Sequence, residues 1–188
     1  MDRKSWHAGA PQGISLIELI MVLAISSFLL LVAAPTLWKV IQVNQLRTQT
    51  NRLLTAINLT RSEAVLRNMP VSMCPSSTLA AGEPTCSDSY ADGWFIFTNR
   101  DRDRVVDAGL DEVLGIYDPL PGGYTLTNRA GTRAANEIIT YFPDGSSPRN
   151  RTLLLCPPGV GQRMSRSIVM NIIGRPRVDG EWGHCPGD

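Results

Sequence analysis

The sequence predicts an α+β protein in which one long N-terminal helix, transmembrane over its first half, packs on an antiparallel β-sheet head. Three observations carry that reading. An almost wholly apolar run, Ile14 to Leu37, opens the chain behind a short polar segment. Helical periodicity continues past the run and stops at Asn68-Met69-Pro70. From there to the C-terminus the texture changes to short β-like runs broken by Gly, Pro, Asn and Asp.

Length and flanks justify the first element. Met1 to Gly13 is polar and carries Arg3 and Lys4, and the run behind it is interrupted only by Ser15, Glu18, Ser26, Ser27 and Thr36. As a helix the run would span about 36 Å, enough for one bilayer crossing. Basic residues ahead of it place the N-terminus in the cytoplasm and the body beyond the membrane. No small-residue cleavage site closes the run, as an ordinary secretory signal would require. Gly13 stands immediately before the run, and Glu18 is its fifth residue. A carboxylate in hydrocarbon is costly without a partner, which makes Glu18 a functional candidate. The plain alternative is a signal anchor with Glu18 hydrated near the interface.

Beyond Pro35 the residues Val43, Leu46, Thr50, Leu53, Ile57 and Ala64 recur at helical spacing, with Arg47, Arg52 and Arg61 off that stripe. One helix from about Ile14 to Arg67 is expected, its second half laying the stripe on a sheet. Pro35 lacks a backbone donor and is expected to kink or loosen the helix. Strands are expected at Val71–Cys74, Gly93–Thr98, Glu112–Tyr117, Tyr124–Asn128, Glu137–Phe142, Thr152–Cys156 and Ser167–Ile173. The segments are therefore residues 1–13, the membrane segment 14–37, the soluble half of the helix 38–69, and a β-rich exported head, 70–188.

Four cysteines, Cys74, Cys86, Cys156 and Cys185, form an even set in an exported domain, which points to a disulfide framework with three connectivities open. The expected pairs are Cys74–Cys86, closing a short loop, and Cys156–Cys185, pinning the C-terminal tail to the sheet. There is no Cys-x-x-Cys, and His184 is the only histidine near any of them, so a zinc site is not expected. Asp101, Asp103, Asp107 and Glu112 have the spacing of a calcium loop, but Val106 stands where such a loop needs glycine, and Arg102 and Arg104 intervene. A solvated turn is the better reading. Catalysis lacks parts, with no Gly-x-Ser-x-Gly elbow and no spare cysteine if both disulfides form, so the chain is not expected to be an enzyme. No cofactor is implied.

The net charge of +1 hides segregation. Residues 83–118 hold nine acids against three arginines, whereas residues 145–178 hold six arginines and no acid. Those six are Arg149, Arg151, Arg163, Arg166, Arg175 and Arg177. Arginine presents a planar fork suited to phosphate, so a nucleic-acid contact competes with a solvated face or with pairing to the acidic stretch. Trp182 is either a stacking surface or simple packing.

The segment Gly13-Ile14-Ser15-Leu16-Ile17-Glu18-Leu19 resembles the processing motif of type IV pilins and type II secretion pseudopilins. That resemblance implies a prepilin leader, 1–13, cut by a prepilin peptidase between Gly13 and Ile14, with methylation of the new Ile14 amine. Glu18 and Pro35 fall on the family's helix glutamate and proline and would serve filament assembly. Ile14 departs from the usual Phe or Met. In a filament, Glu18 would meet the amine of a neighbour's Ile14, pairing two charges that are each costly alone and setting register as a buried polar residue does in a coiled coil.

The run Gly93-Trp94-Phe95-Ile96-Phe97, the run Ile138–Gly145, Cys156 and the late Gly174-Arg175-Pro176-Arg177 are similar to the minor-pilin branch of FimT, FimU and GspH-like proteins. The resemblance implies a single-pass inner-membrane protein with a periplasmic head. Its partners would be other pilins or pseudopilins in a surface filament. Two roles follow: a minor pilin in pilus initiation, or a GspH-like minor pseudopilin of type II secretion. The Gly-Arg-x-Arg tail further resembles one associated, in some FimT-type pilins, with capture of double-stranded DNA.

Overall fold

The structure is a computed structural model that describes residues 13–76, 85–86, 89–159, 164–180 and 182–186. Within the helix, the side chains of residues 32, 35 and 36 are not described. The expected leader, except Gly13, and Arg163 lie outside the described residues. One helix, α1 (Leu16–Arg67), contains Pro35 and is assigned as one unbroken element. The chain forms two compact units, one ending at Ile41 and the other spanning Gln42–Asp188.

In the first unit the helix from Leu16 to Leu31 is apolar but for Glu18, Ser26 and Ser27. Leu16, Ile17, Leu19, Ile20, Met21, Val22 and Leu23 are all exposed, as are Phe28 to Leu31. Ser26 and Ser27 donate back to the carbonyls of Val22 (2.7 Å) and Ala24 (3.0 Å). Their hydroxyls therefore ask nothing of the surroundings. Among the described residues no helix is long and apolar enough to cross a membrane.

In the second unit the helical stripe is buried as its spacing requires. Leu46, Thr50, Leu53, Ile57 and Ala64 are buried, joined by Ala56 and Thr60, while Val43 is half-buried. Thr50 and Thr60 satisfy their hydroxyls on the carbonyls of Leu46 (2.7 Å) and Ala56 (2.8 Å). Arg52 and Arg61 flank the stripe and clip the helix to the head. Arg52 donates to the Asp118 carbonyl (2.6 Å) and lies 4.8 Å over the Trp94 ring, and Arg61 donates to the Gly145 carbonyl (2.9 Å). The helix ends as a Schellman motif. Asn68 takes a left-handed φ of 51°, Met69 N–H donates to Ala64 O and Asn68 N–H to Val65 O, each at 3.3 Å, which satisfies carbonyls that a helix end would leave bare.

Eight strands follow: β1 (Val71–Pro75), β2 (Trp94–Thr98), β3 (Val113–Tyr117), β4 (Thr125–Thr127), β5 (Ile139–Tyr141), β6 (Arg151–Cys156), β7 (Arg166–Met170) and β8 (Pro176–Asp179). The expected sheet is in fact two, ordered β3-β2-β1-β5 and β4-β6-β7-β8, with every pairing antiparallel. One continuous core joins the helical stripe to Val71, Met73, Trp94 and Ile96 of the first sheet and to Leu153, Leu155, Ile168 and Met170 of the second. On the far face of the first sheet, Cys74, Phe95 and Phe97 form a small cluster, where Cys74 is bonded to Cys86 with Cα atoms 5.4 Å apart. On the far face of the second, Leu154 and Cys156 pack with Cys185, which is bonded to Cys156 with Cα atoms 5.9 Å apart.

The last expected strand needs correction. The apolar run to Ile173 pairs only as far as Met170. Asn171 to Gly174 form a turn closed by Gly174 N–H to Asn171 O (2.9 Å), with Gly174 at φ 79°, and Ile172 and Ile173 stand exposed. A Cβ at Gly174 would come within 2.0 Å of the Gly145 carbonyl, so glycine is required for the close approach as well as for the turn. The chain then reverses into β8, which Pro176 and Arg177, with Arg175 just before them, disguise as tail.

Candidate filament and nucleic-acid surfaces

Two surfaces hold the residues singled out by sequence. On the helix, Ile14 is exposed to 78%, and Glu18 lies in the first turn of α1, where the positive end of the helix favours an acid. Among the described residues no ion-pair partner stands beside Glu18.

The arginines divide into three groups. Arg151 is structural: its side chain is nine-tenths covered and donates to the carbonyls of Ile138 and Glu137. Burial lowers its pKa. Arg149 is exposed but faces Glu137, whose carboxylate lies 3.6 Å from Arg149 and 3.7 Å from Arg151. Arg166 pairs with Leu155 at the opposite end of the sheet from Arg151, which pairs with Met170. Arg175 and Arg177 are exposed on the turn and on β8, with no ion-pair partner among the described residues. Strand register sets Arg177 opposite Val169, which is opposite Thr152, so Arg177 shares one end of the sheet with Arg149, Arg151 and Arg175. The five described arginines do not form one patch; four of them gather at one end.

A groove of about 780 Å³ opens beside that end. Thr152 and Val169 line it on the sheet face opposite Ile168 and Met170, which point into the core. One wall is the stretch from Asn128 to Glu137, including Arg129 and Arg133, and Trp182 from the tail closes a side. The tail is held there by the second disulfide, by His184 N–H to Arg129 O (3.0 Å) and by the Ser167 hydroxyl on Trp182 O. The Arg129 guanidinium stacks 4.2 Å over the Trp182 ring. Sequence reasoning missed Arg129 and Arg133 because they stand among small and polar residues, outside the acid-free stretch 145–178; only the fold of the 128–137 loop brings them to the arginine-rich end.

The acidic β2–β3 loop is occupied with its own backbone. Asp101, Asp103 and Asp111 accept from the amides of Asp103, Val105 and Asp107. Desolvation and then the charges of Asp101, Asp103 and Asp111 push the Asp107 carboxyl above its ordinary range. Among the described residues no three His, Cys, Asp or Glu side chains are placed to hold a metal ion.

A long helix laid by one stripe of its second half against antiparallel sheets, with an exposed, largely apolar first half, is the build of a pilin-like subunit. The family model described as "Type II transport protein GspH" matches residues 49–174, and the chain belongs to that family of type IV minor pilins and type II pseudopilins. A crystal structure of the type IV minor pilin FimU of Pseudomonas aeruginosa superposes with a TM-score of 0.54 at 16% identity, covering 76% of this chain and 94% of that chain. The minor pseudopilin EpsH from the Type 2 Secretion System of Vibrio cholerae superposes with a TM-score of 0.48 at 14% identity, covering 77% and 99%. No curated protein matches.

Proposed function

We propose that the chain is a minor pilin that takes part in initiating a type IV pilus. It is structural rather than catalytic, is cut between Gly13 and Ile14, and is held in the inner membrane by residues 14–37 with its head in the periplasm. The observation that carries this reading is the helix surface from Leu16 to Leu31, exposed and apolar but for Glu18, Ser26 and Ser27. Such a surface is stable only in lipid or against other apolar helices, and a filament core supplies the second. Pro35 would loosen the helix where it leaves the membrane. Glu18 supplies the register, pairing with the methylated amine of a neighbour. The expected result for Glu18→Val is normal membrane insertion with loss of filament incorporation, measured by fractionation and immunoblotting of sheared filaments. Mass spectrometry of the mature protein should read N-methyl-Ile14. Full incorporation of the variant, or an N-terminus elsewhere, would overturn the proposal. A minor pseudopilin role uses the same anchor; loss of secreted exoproteins with intact pili in a deletion strain would favour it.

A second reading, DNA capture, is favoured by Arg175 and Arg177, which are exposed and free of acidic partners among the described residues. Arg149 stands beside them, whereas Arg151 is committed to backbone carbonyls. Detergent-solubilised full-length protein should bind DNA weakly and salt-dependently, and Arg175→Ala with Arg177→Ala should flatten the log–log salt slope by about two units, at roughly 0.9 per phosphate. An unchanged slope removes this reading and leaves the filament role intact.

A further inference from the structure

We infer that the groove beside the arginine end takes the bases of a single nucleic-acid strand, with the arginines outside it holding the phosphates. The inference rests on the DNA-capture reading and adds new residues and a preferred form of ligand. Its basis is a juxtaposition. Arg177 is the register partner of Val169, and Val169 lines the groove. Arg149 precedes Asn150, which also lines it. Arg177, Arg149 and the cavity therefore form one continuous surface, cations at the edge and mixed polar and apolar groups inside.

The interior has the chemistry of base recognition. Trp182 is exposed to 38% and carries the Arg129 guanidinium stacked 4.2 Å above it. Bases stack on aromatic rings and on guanidinium planes alike, with little dependence on sequence. Asn128, Asn136, Asn150 and Asn171 ring the groove; the side-chain oxygens of Asn128, Asn150 and Asn171 already accept from backbone amides, so Asn136 and the amide N–H groups of Asn150 and Asn171 are the groups suited to base edges. Arg133 adds a further cation, and the one acid, Glu137, is already shared between Arg149 and Arg151. A cavity of about 780 Å³ is the size that encloses a small ligand, enough for unstacked bases of one strand. A duplex keeps its bases inside the stack; it can lie across Arg175 and Arg177 but cannot enter.

Fluorescence anisotropy on the full chain in detergent tests this, with an oligodeoxythymidine strand and a duplex of equal length at low salt. The single strand should bind about tenfold more tightly and quench tryptophan emission. Trp182→Ala should weaken the single strand about tenfold, the low end of the loss seen when a stacking aromatic is truncated, and leave the duplex unchanged. Trp182→Phe should retain most of the affinity, which separates lost stacking from a loosened tail. Arg129→Ala with Arg133→Ala should act like Trp182→Ala, whereas Arg175→Ala with Arg177→Ala should weaken both ligands. Equal affinity for strand and duplex, insensitive to Trp182→Ala, would overturn the groove and leave DNA capture standing. Binding of neither removes both. An acidic polysaccharide such as polygalacturonate that displaces the strand and shows the same Trp182 dependence would reassign the groove to anionic glycans.

Discussion

The two halves of α1 follow the same backbone rules and meet opposite fates. From Gln42 onward one stripe is buried and the other faces carry Arg47, Arg52 and Arg61. From Leu16 to Leu31 the helix is exposed all round and apolar but for Glu18, Ser26 and Ser27. An amphipathic helix states where its own chain will cover it, and a uniformly apolar one states that its cover comes from elsewhere. The second half is thus a folding element, and the first half is an interface in waiting.

The sharpest test of that contrast is truncation on each half. Ile57 is fully buried, and Ile57→Ala should cost the head about 2–5 kcal/mol, as large-to-small core changes do, read from thermal or denaturant unfolding in detergent. Leu23→Ala should leave that unfolding unchanged and act, if at all, on filament incorporation. A common effect on unfolding would mean that the first half packs on its own head, and the comparison would fail.

A smaller effect separates the halves by pH. Burial pushes the Tyr141 hydroxyl up to about 12, against a partial pull downward from Arg61 and Arg151, and burial raises Tyr90 as well. An unfolded tyrosine releases its proton near pH 10. Between about pH 10 and 12 the folded head keeps protons that the unfolded chain gives up, so stability is whole below that window and falls as pH rises through it. Tyr90 donates to the carbonyls of Met73 (2.8 Å) and Glu137 (3.0 Å), whereas the Tyr141 hydroxyl is buried with no hydrogen-bond partner among the described residues. Tyr141→Phe should therefore be neutral or slightly stabilising at pH 7 and should reduce the alkaline loss. Tyr90→Phe should destabilise at pH 7. Equal behaviour of the two variants would refute the assignment.

The smallest effect is expected where the folding half stops. Asn68 holds φ at 51°, a conformation that asparagine tolerates and alanine resists. Asn68→Ala should cost the head up to about 1 kcal/mol and Asn68→Gly should cost nothing or stabilise slightly. Unfolding in the same assay reports both.

Sequence by itself determined the features that local periodicity or local chemistry can encode. The apolar run, the buried stripe from Leu46 to Ala64 and the stop at Asn68 were all legible, because each is a rule about neighbours three or four residues apart. Seven of the eight strands were legible as short β-like runs between turn-forming residues. The membrane and processing roles proposed for Gly13, Ile14 and Glu18 rest on sequence alone, in a stretch outside the family match at residues 49–174. Only the tertiary structure decided the rest. Arg149 and Arg151 read as free cations until the fold brought Glu137 to both, and the carbonyl acceptors of Arg151 lie thirteen and fourteen residues away in sequence. Strand β8 was hidden because nothing in Pro176–Asp179 alternates strongly; it exists because Gly174 permits a tight reversal onto β7. The groove is assembled from the 128–137 loop, β6, β7 and Trp182, four pieces whose adjacency is set by strand pairing and a disulfide across long loops, and no local pattern records such contacts.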